Sequence, residues 1–203
     1  MVAFQQGILF AVGAAICGEY EQLRAGEGDW QGPSWLLLVA KLVLYFVLAM
    51  LSYLLVTVLV QYVFAIPLKA PLGTLLGLAA AFIIAAMSFA IFASAIFPRE
   101  MEFVRAIIMY PVPAFILSGY TWPQESMPAW LQTVAEAFPL SWFSNTVREL
   151  FLAGHSPRLV GDYQAFAVLT AVFLSLGAML FCWRMRRYRR AAAQAPEQTV
   201  ERN

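Results

Sequence analysis

The side chains able to do chemistry are few and scattered. Among 203 residues there is a single histidine, His155, and two cysteines, Cys17 and Cys182. One histidine cannot assemble a metal cluster, and two thiols this far apart make neither a disulfide framework nor a zinc site. No metal ligands are therefore expected, and the thiols read as reduced and structural. No G-x-x-x-x-G-K-[ST] run is present to cradle nucleotide phosphates. A membrane acyl or glycosyl transferase needs a polar constellation near one interface, and one histidine with sparse acids does not supply it. The expected set of catalytic residues is none.

The elements that carry these residues are apolar. Hydrophobic residues make up 62% of the chain and charged ones 12%, against about 45–50% and about 25% in soluble domains. The formal net charge of +1 gives no electrostatic case for nucleic acid. A membrane-crossing helix needs ~20 mainly apolar residues for ~30 Å of hydrocarbon. Lipid offers backbone amides no partners, so such segments must be helical. The predicted spans are about 2–17, 35–65, 72–97, 103–122 and 163–183. The first is short. The expected fold is all-α: a polytopic membrane helix bundle of five spans, forming one transmembrane domain over residues 1–190 with a flexible cytoplasmic tail over 191–203.

Orientation follows from where Lys and Arg collect. Arg184, Arg186, Arg187, Arg189 and Arg190 directly follow the last span, which places the C-terminus in the cytoplasm. Counting back puts Arg99, Arg105 and the polar connection Gly18–Ser34 inside, with Lys69, Arg148 and Arg158 outside. Lys41 lies near the inner end of its span and is expected to snorkel. The N-terminus then lies outside and leads straight into a short apolar segment, the pattern of a chain that lacks a preceding span. A cleaved signal peptide fits poorly, because no basic residues precede the apolar run and Glu19 and Glu21 follow it.

The outer connection, Pro123–Asp162, is rich in Trp, Phe and Leu. Pro128 suits a helix start, and Trp130, Leu131, Val134, Ala135 and Phe138 share one helical face. Pro139 breaks the run. Trp142, Phe143, Val147, Leu150, Phe151 and Leu152 form a second run that ends at Gly154, a C-cap candidate. Two short helices over 128–154 either re-enter the membrane or lie flat under an aromatic belt. In the span before them, Pro111 and Pro113 each remove an amide donor and kink the helix. That kink either marks a moving part or serves packing alone.

These residues carry a resemblance. Phe115 to Gln132 (FILSGYTWPQESMPAWLQ), Phe138 to Phe143 (FPLSWF) and Arg148 to Gly154 (RELFLAG) resemble the last third of ABC-2-type exporter permeases in order and spacing. Phe64 to Ala70 (FAIPLKA) resembles that family's turn between its third and fourth spans. Glu19 to Leu23 (EYEQL) resembles in part the stretch after its second span, although the usual glycine-threonine is absent and Arg24 to Trp30 departs from the pattern. The resemblance covers about residues 1–190, the last five of the family's six spans.

The resemblance implies a membrane-spanning exporter permease that forms the translocation path. Energy comes from a separate ATP-binding-cassette ATPase subunit carrying ATP and Mg²⁺, so the permease binds no cofactor of its own. It also implies a second permease subunit, identical or different, and location in a bacterial inner membrane. Glu19, Tyr20, Glu21, Gln22, Leu23 and Arg24 would couple to the ATPase, against the alternative of a solvated loop. Ser118, Gly119, Pro123, Met127, Pro128, Trp130, Leu131, Phe138, Pro139, Trp142 and Phe143 would form an outer gate. For the aromatic members of that set, lipid anchoring is the alternative. Pro111 and Pro113 would be the pivot. The rival readings are a permease remnant without transport of its own and a carrier that works without an ATPase. The carrier lacks clear mid-span ionisable groups and an obvious inverted repeat. The cargo is not readable, although an apolar bundle suits amphiphiles.

Overall fold

A computed structural model describes residues 1–25, 34–65, 68–97, 99–119, 122–123 and 126–200. Residues 26–33 of the predicted coupling connection lie outside it, as do Ile66, Pro67, Pro98, Tyr120, Thr121, Gln124 and Glu125. The side chains of Tyr20, Leu23 and Arg24 also lie outside the described set.

Among the described residues eight α-helices follow in order: α1 Val2–Ala25, α2 Ser34–Val63, α3 Leu72–Ile96, α4 Glu100–Met109, α5 Pro111–Leu117, α6 Ala129–Glu136, α7 Pro139–Leu152 and α8 Leu159–Val200. No strand occurs among the described residues. Among the described residues, four helices contain stretches long and apolar enough to cross a membrane: Val2–Glu19, Leu38–Val63, Leu72–Ile96 and Leu159–Arg184. The expected fifth span, 103–122, is instead two helices of 10 and 7 residues that meet at Tyr110. The physical cause is Pro111. It has no N–H to give the Ile107 carbonyl, and the Tyr110 N–H takes that carbonyl in a tighter turn at 3.2 Å. The path ends early, at Ser118 and Gly119, where Gly119 turns the chain with φ +82°.

Two further boundaries differ from the sequence reading. α1 does not stop near Cys17 but continues as helix through Glu19–Arg24 to Ala25. Polarity there marks the exit from an apolar stretch, not the end of the helix. α8 likewise runs through the basic cluster and on to Val200.

The core is built around α3. Leu75, Leu78, Phe82, Ile83, Ala86 and Ala90 are fully buried on it. Its alanines let α8 approach closely. A Cβ on Gly177 would come within 2.9 Å of the Phe92 backbone nitrogen, the close approach that small residues permit between membrane helices. α2 is the reverse case, with only 17% of its apolar window buried. Val43, Leu44, Val47, Leu51, Leu55 and Leu59 form an exposed apolar face on it. A continuous face of this kind suits lipid rather than water.

Candidate functional site

α6 and α7 form a hairpin that enters the bundle. Pro128 precedes α6 as its cap residue, and Pro139 occupies the first turn of α7, where a missing N–H costs nothing. α7 is buried along most of its length, at Leu140, Ser141, Phe143, Ser144, Thr146, Val147 and Leu150. Phe143 stacks on Phe82 of α3 with ring centres 4.1 Å apart and planes 11° apart. Tyr53 of α2 meets the Phe143 ring edge-on at 6.0 Å, and Phe166 of α8 meets Phe82 at 6.1 Å. A helix lying flat across the end of the bundle could not place Phe143 among aromatics from α2, α3 and α8. α7 is thus packed into the bundle along its buried face, whichever depth the hairpin takes in the membrane.

Polar contacts hold the hairpin at both ends. Near its vertex, the Ser141 hydroxyl donates to the Leu117 carbonyl at 3.1 Å and the Ser144 hydroxyl to the Ser118 carbonyl at 2.8 Å. These are carbonyls that the end of α5 leaves without helical partners. At the far end, the Lys69 and Ala70 amides donate to the Phe151 and Leu150 carbonyls at 3.3 and 3.2 Å. Gly154 closes α7 with φ +83° and packs so near Lys69 that a Cβ would lie 3.2 Å from it.

The predicted gate residues divide. Met127, Leu131 and Phe138 come together where α5, α6 and α7 meet, with Ser118 held there by Ser144 and Pro139 buried at the start of α7, whereas Phe143 packs in the main core on Phe82 and Tyr53. Met127 packs with Leu117 and Ala135, with Leu131 and Phe138 against them. Gly119 is the turn that leads into this group. Trp142 is half-buried and donates its indole N–H to the Glu136 carbonyl at 2.9 Å, fastening α7 to α6. Pro123, Pro128 and Trp130 face outward, Trp130 with 68% exposure.

The proline break connects directly to the hairpin. Tyr110, at the joint, stacks on Phe138 with ring centres 5.4 Å apart and touches Phe89 at 5.3 Å. On its other side α1 supplies two glutamines. Gln5 donates its amide to the Tyr110 hydroxyl at 2.8 Å, and Gln6 donates to the Ile107 carbonyl at 2.7 Å. Gln6 thus occupies the acceptor that Pro111 leaves short of a donor.

The opposite end of the bundle gathers the charged residues. Lys41 forms an ion pair with Glu19 at 2.7 Å and donates to the Ala15 carbonyl at 2.8 Å. Its ammonium is therefore tied to α1, beyond the snorkelling expected of it. Glu21 accepts from the Glu100 backbone N–H at 3.1 Å. A carboxylate from α1 thereby caps the start of α4, where the helix dipole favours negative charge. Gly13 packs against Phe103 so closely that a Cβ would overlap the ring. Arg184 donates to the Phe97 and Ile96 carbonyls at 3.2 and 3.5 Å, closing the end of α3. Of the predicted coupling residues, Glu19 and Glu21 join α1 to α2 and α4. Gln22 is exposed on the same turn.

Several participants were not singled out from sequence: Gln5, Gln6, Tyr110, Ser141, Ser144 and the pair Thr146–Asp162. Asp162 is 3% exposed and accepts a hydrogen bond from the Thr146 hydroxyl. A signal existed for the serines, since two hydroxyls three apart on a buried helix face need carbonyl partners. Among the described residues, no group of three or more His, Cys, Asp or Glu is placed to hold a metal ion.

Several membrane-length apolar helices packed around a short helical hairpin define a multi-pass membrane protein. The chain belongs to the ABC-2 type transporter family, whose model matches residues 32–152. That match includes the hairpin and the proline break. Among curated proteins, it is 27% identical over 146 residues to the probable multidrug ABC transporter permease YbhS of Escherichia coli, covering 71% of this chain and 37% of that protein. It is 22% identical over 149 residues to the probable multidrug ABC transporter permease YbhR of the same organism, covering 73% and 40%. The match thus spans less than half the length of these relatives. No solved structure matches the chain significantly.

Proposed function

We propose that this chain is the membrane-spanning permease part of an ABC exporter that works with a separate ATPase subunit. The family match supports the permease role. With no phosphate-cradling loop in this sequence, the reading places ATP and Mg²⁺ on the partner. In this reading the arginine-rich end faces the cytoplasm of a bacterial cell and the hairpin faces outward, as the Lys and Arg distribution favours. The ATPase docks on the α1 terminus, Glu19–Arg24, and a second permease subunit completes the path. The multidrug description of the relatives and the apolar bundle together favour amphiphilic cargo.

The observation that carries this reading is a continuous line of contacts between the two ends. A push on α1 reaches α4 through Glu21 and Phe103. Along α4 it reaches the joint at Tyr110, held by Gln5 and Gln6. From there it passes to Phe138 and, through Leu117 and Ser118, to the hydroxyls of Ser141 and Ser144. Pro111 and Pro113 lie where such a line needs a pivot, and the hairpin lies where it needs a gate.

The test is co-purification. Tagged chain solubilised from its native membrane is expected to bring down an ATPase subunit, and replacing Glu21, Gln22 and Leu23 by alanine is expected to release it. Recovery of the chain with no nucleotide-hydrolysing partner would overturn the reading.

A further inference from the structure

At the hairpin end, α6, α7 and the start of α8 enclose a polar cleft of ≈ 350 Å³. Ligand sites run from roughly 300 to 1,000 Å³, so this one suits a small group. Gln132, Glu136, Trp142, Asn145, Arg158 and Asp162 line it. We propose that it seats a phosphoethanolamine group: a primary ammonium two carbons from a phosphate.

Hydrogen-bond accounting carries the proposal. Three donors in the lining are already committed. The Gln132 amide nitrogen donates to the Met127 carbonyl at 2.8 Å. The Trp142 indole nitrogen donates to the Glu136 carbonyl at 2.9 Å. The Ser141 hydroxyl, also in the lining, donates to the Leu117 carbonyl at 3.1 Å. Away from Arg158, what remains for a ligand is the Gln132 amide oxygen, the Glu136 carboxylate and the Asp162 oxygen not used by Thr146, beside an Asn145 amide that can accept or donate. A ligand matched to this wall must donate several hydrogen bonds and carry positive charge. An ammonium does both.

Arg158 supplies the other half. Among the described residues no ion pair or side-chain hydrogen bond engages its guanidinium, and it is exposed at the rim. It is the one cation in the lining, and a guanidinium fork matches a phosphate. Position fixes the setting. Arg158 immediately precedes Leu159, where the apolar window of α8 begins. Trp122 and Trp130, just before and within α6, are exposed, as tryptophans are at the level of lipid headgroups. The group can arrive on a phosphatidylethanolamine lipid or on a soluble phosphoethanolamine ester. The proposal concerns binding alone and stands or falls independently of any ATPase.

The purified chain in detergent is offered equal amounts of phosphatidylethanolamine, phosphatidylcholine and phosphatidylglycerol with identical acyl chains, and retained lipid is counted by native mass spectrometry. Preferential retention of phosphatidylethanolamine is expected. Glu136→Gln should bring it down to the phosphatidylcholine level, roughly a tenfold loss for one charge-assisted hydrogen bond. Arg158→Gln should lower all three lipids together. Both side chains are exposed, and unchanged circular dichroism verifies that the variants fold. Displacement by millimolar soluble phosphoethanolamine identifies a water-borne ligand; resistance to displacement identifies the lipid. Equal retention of the three lipids by the unaltered chain, or a preference that survives Glu136→Gln, overturns the proposal.

Discussion

The proline break offers a quantitative test of how the bundle is held. In an unbroken helix the Ile107 carbonyl would accept from the amide of residue 111. Proline there has none, and the Gln6 side chain of α1 donates instead at 2.7 Å. Replacing Gln6 with leucine has two opposing effects. It strips the Ile107 carbonyl of its best donor, leaving the Tyr110 amide at 3.2 Å. It also removes the Gln6 carbonyl oxygen, which is buried without a partner. The net change in stability is therefore small and uninformative. The coupling is informative. On a Pro111→Ala background the backbone supplies its own donor, α4 and α5 join, and the Ile107 carbonyl no longer depends on Gln6. The double-mutant cycle should show about 0.6 kcal/mol of coupling, the average for hydrogen bonds between membrane helices, and no more than about 1.7. The assay is equilibrium unfolding in mixed micelles for all four proteins of the cycle. Coupling within about 0.3 kcal/mol of zero, the scatter for independent sites, would refute the claim that Gln6 substitutes for the missing amide.

Two further outcomes follow from packing. Gly177→Ala should destabilise the chain by about 1–3 kcal/mol, because its Cβ meets the Phe92 backbone rather than a movable side chain. Gly18→Ala, with nothing within 4 Å, should instead be neutral or stabilising by up to about 1 kcal/mol. The same unfolding assay reads both, and equal signs would contradict the close α3–α8 contact. Ser144→Ala should cost about 1–2 kcal/mol by orphaning the buried Ser118 carbonyl. It should also raise protease cleavage in the segment between α5 and α6, whereas Thr133→Ala on the exposed face of α6 should do neither.

The parts of this architecture that were legible in the sequence are those punctuated locally. Long apolar runs gave α2 and α3 within a residue or two. Pro128, Pro139 and Gly154 marked the hairpin, because each acts on the backbone where it stands. The proline pair announced a kink but not that the span would divide at Tyr110 and end by Ser118. α1 was read too short because the polarity of Glu19–Arg24 resembles a loop, although all six residues tolerate a helix. The ties between helices were the least visible. Gln6 and Ile107 are 101 positions apart and Glu21 and Glu100 are 79 apart, and no periodicity within either segment reports the other. Asp162 was placed at the end of a loop, and only the fold brings Thr146 to it.

Sidedness underlies the whole account, because an ATPase can act only on an end that faces the cytoplasm. Cysteine labelling measures it directly. In a chain with Cys17 and Cys182 replaced by alanine, single cysteines are placed at Gln22 and at His155, both exposed. A membrane-impermeant maleimide added to intact cells is expected to label position 155 at once and position 22 only after the membrane is opened. Labelling of position 22 from outside, or of both positions from the same side, would contradict the account.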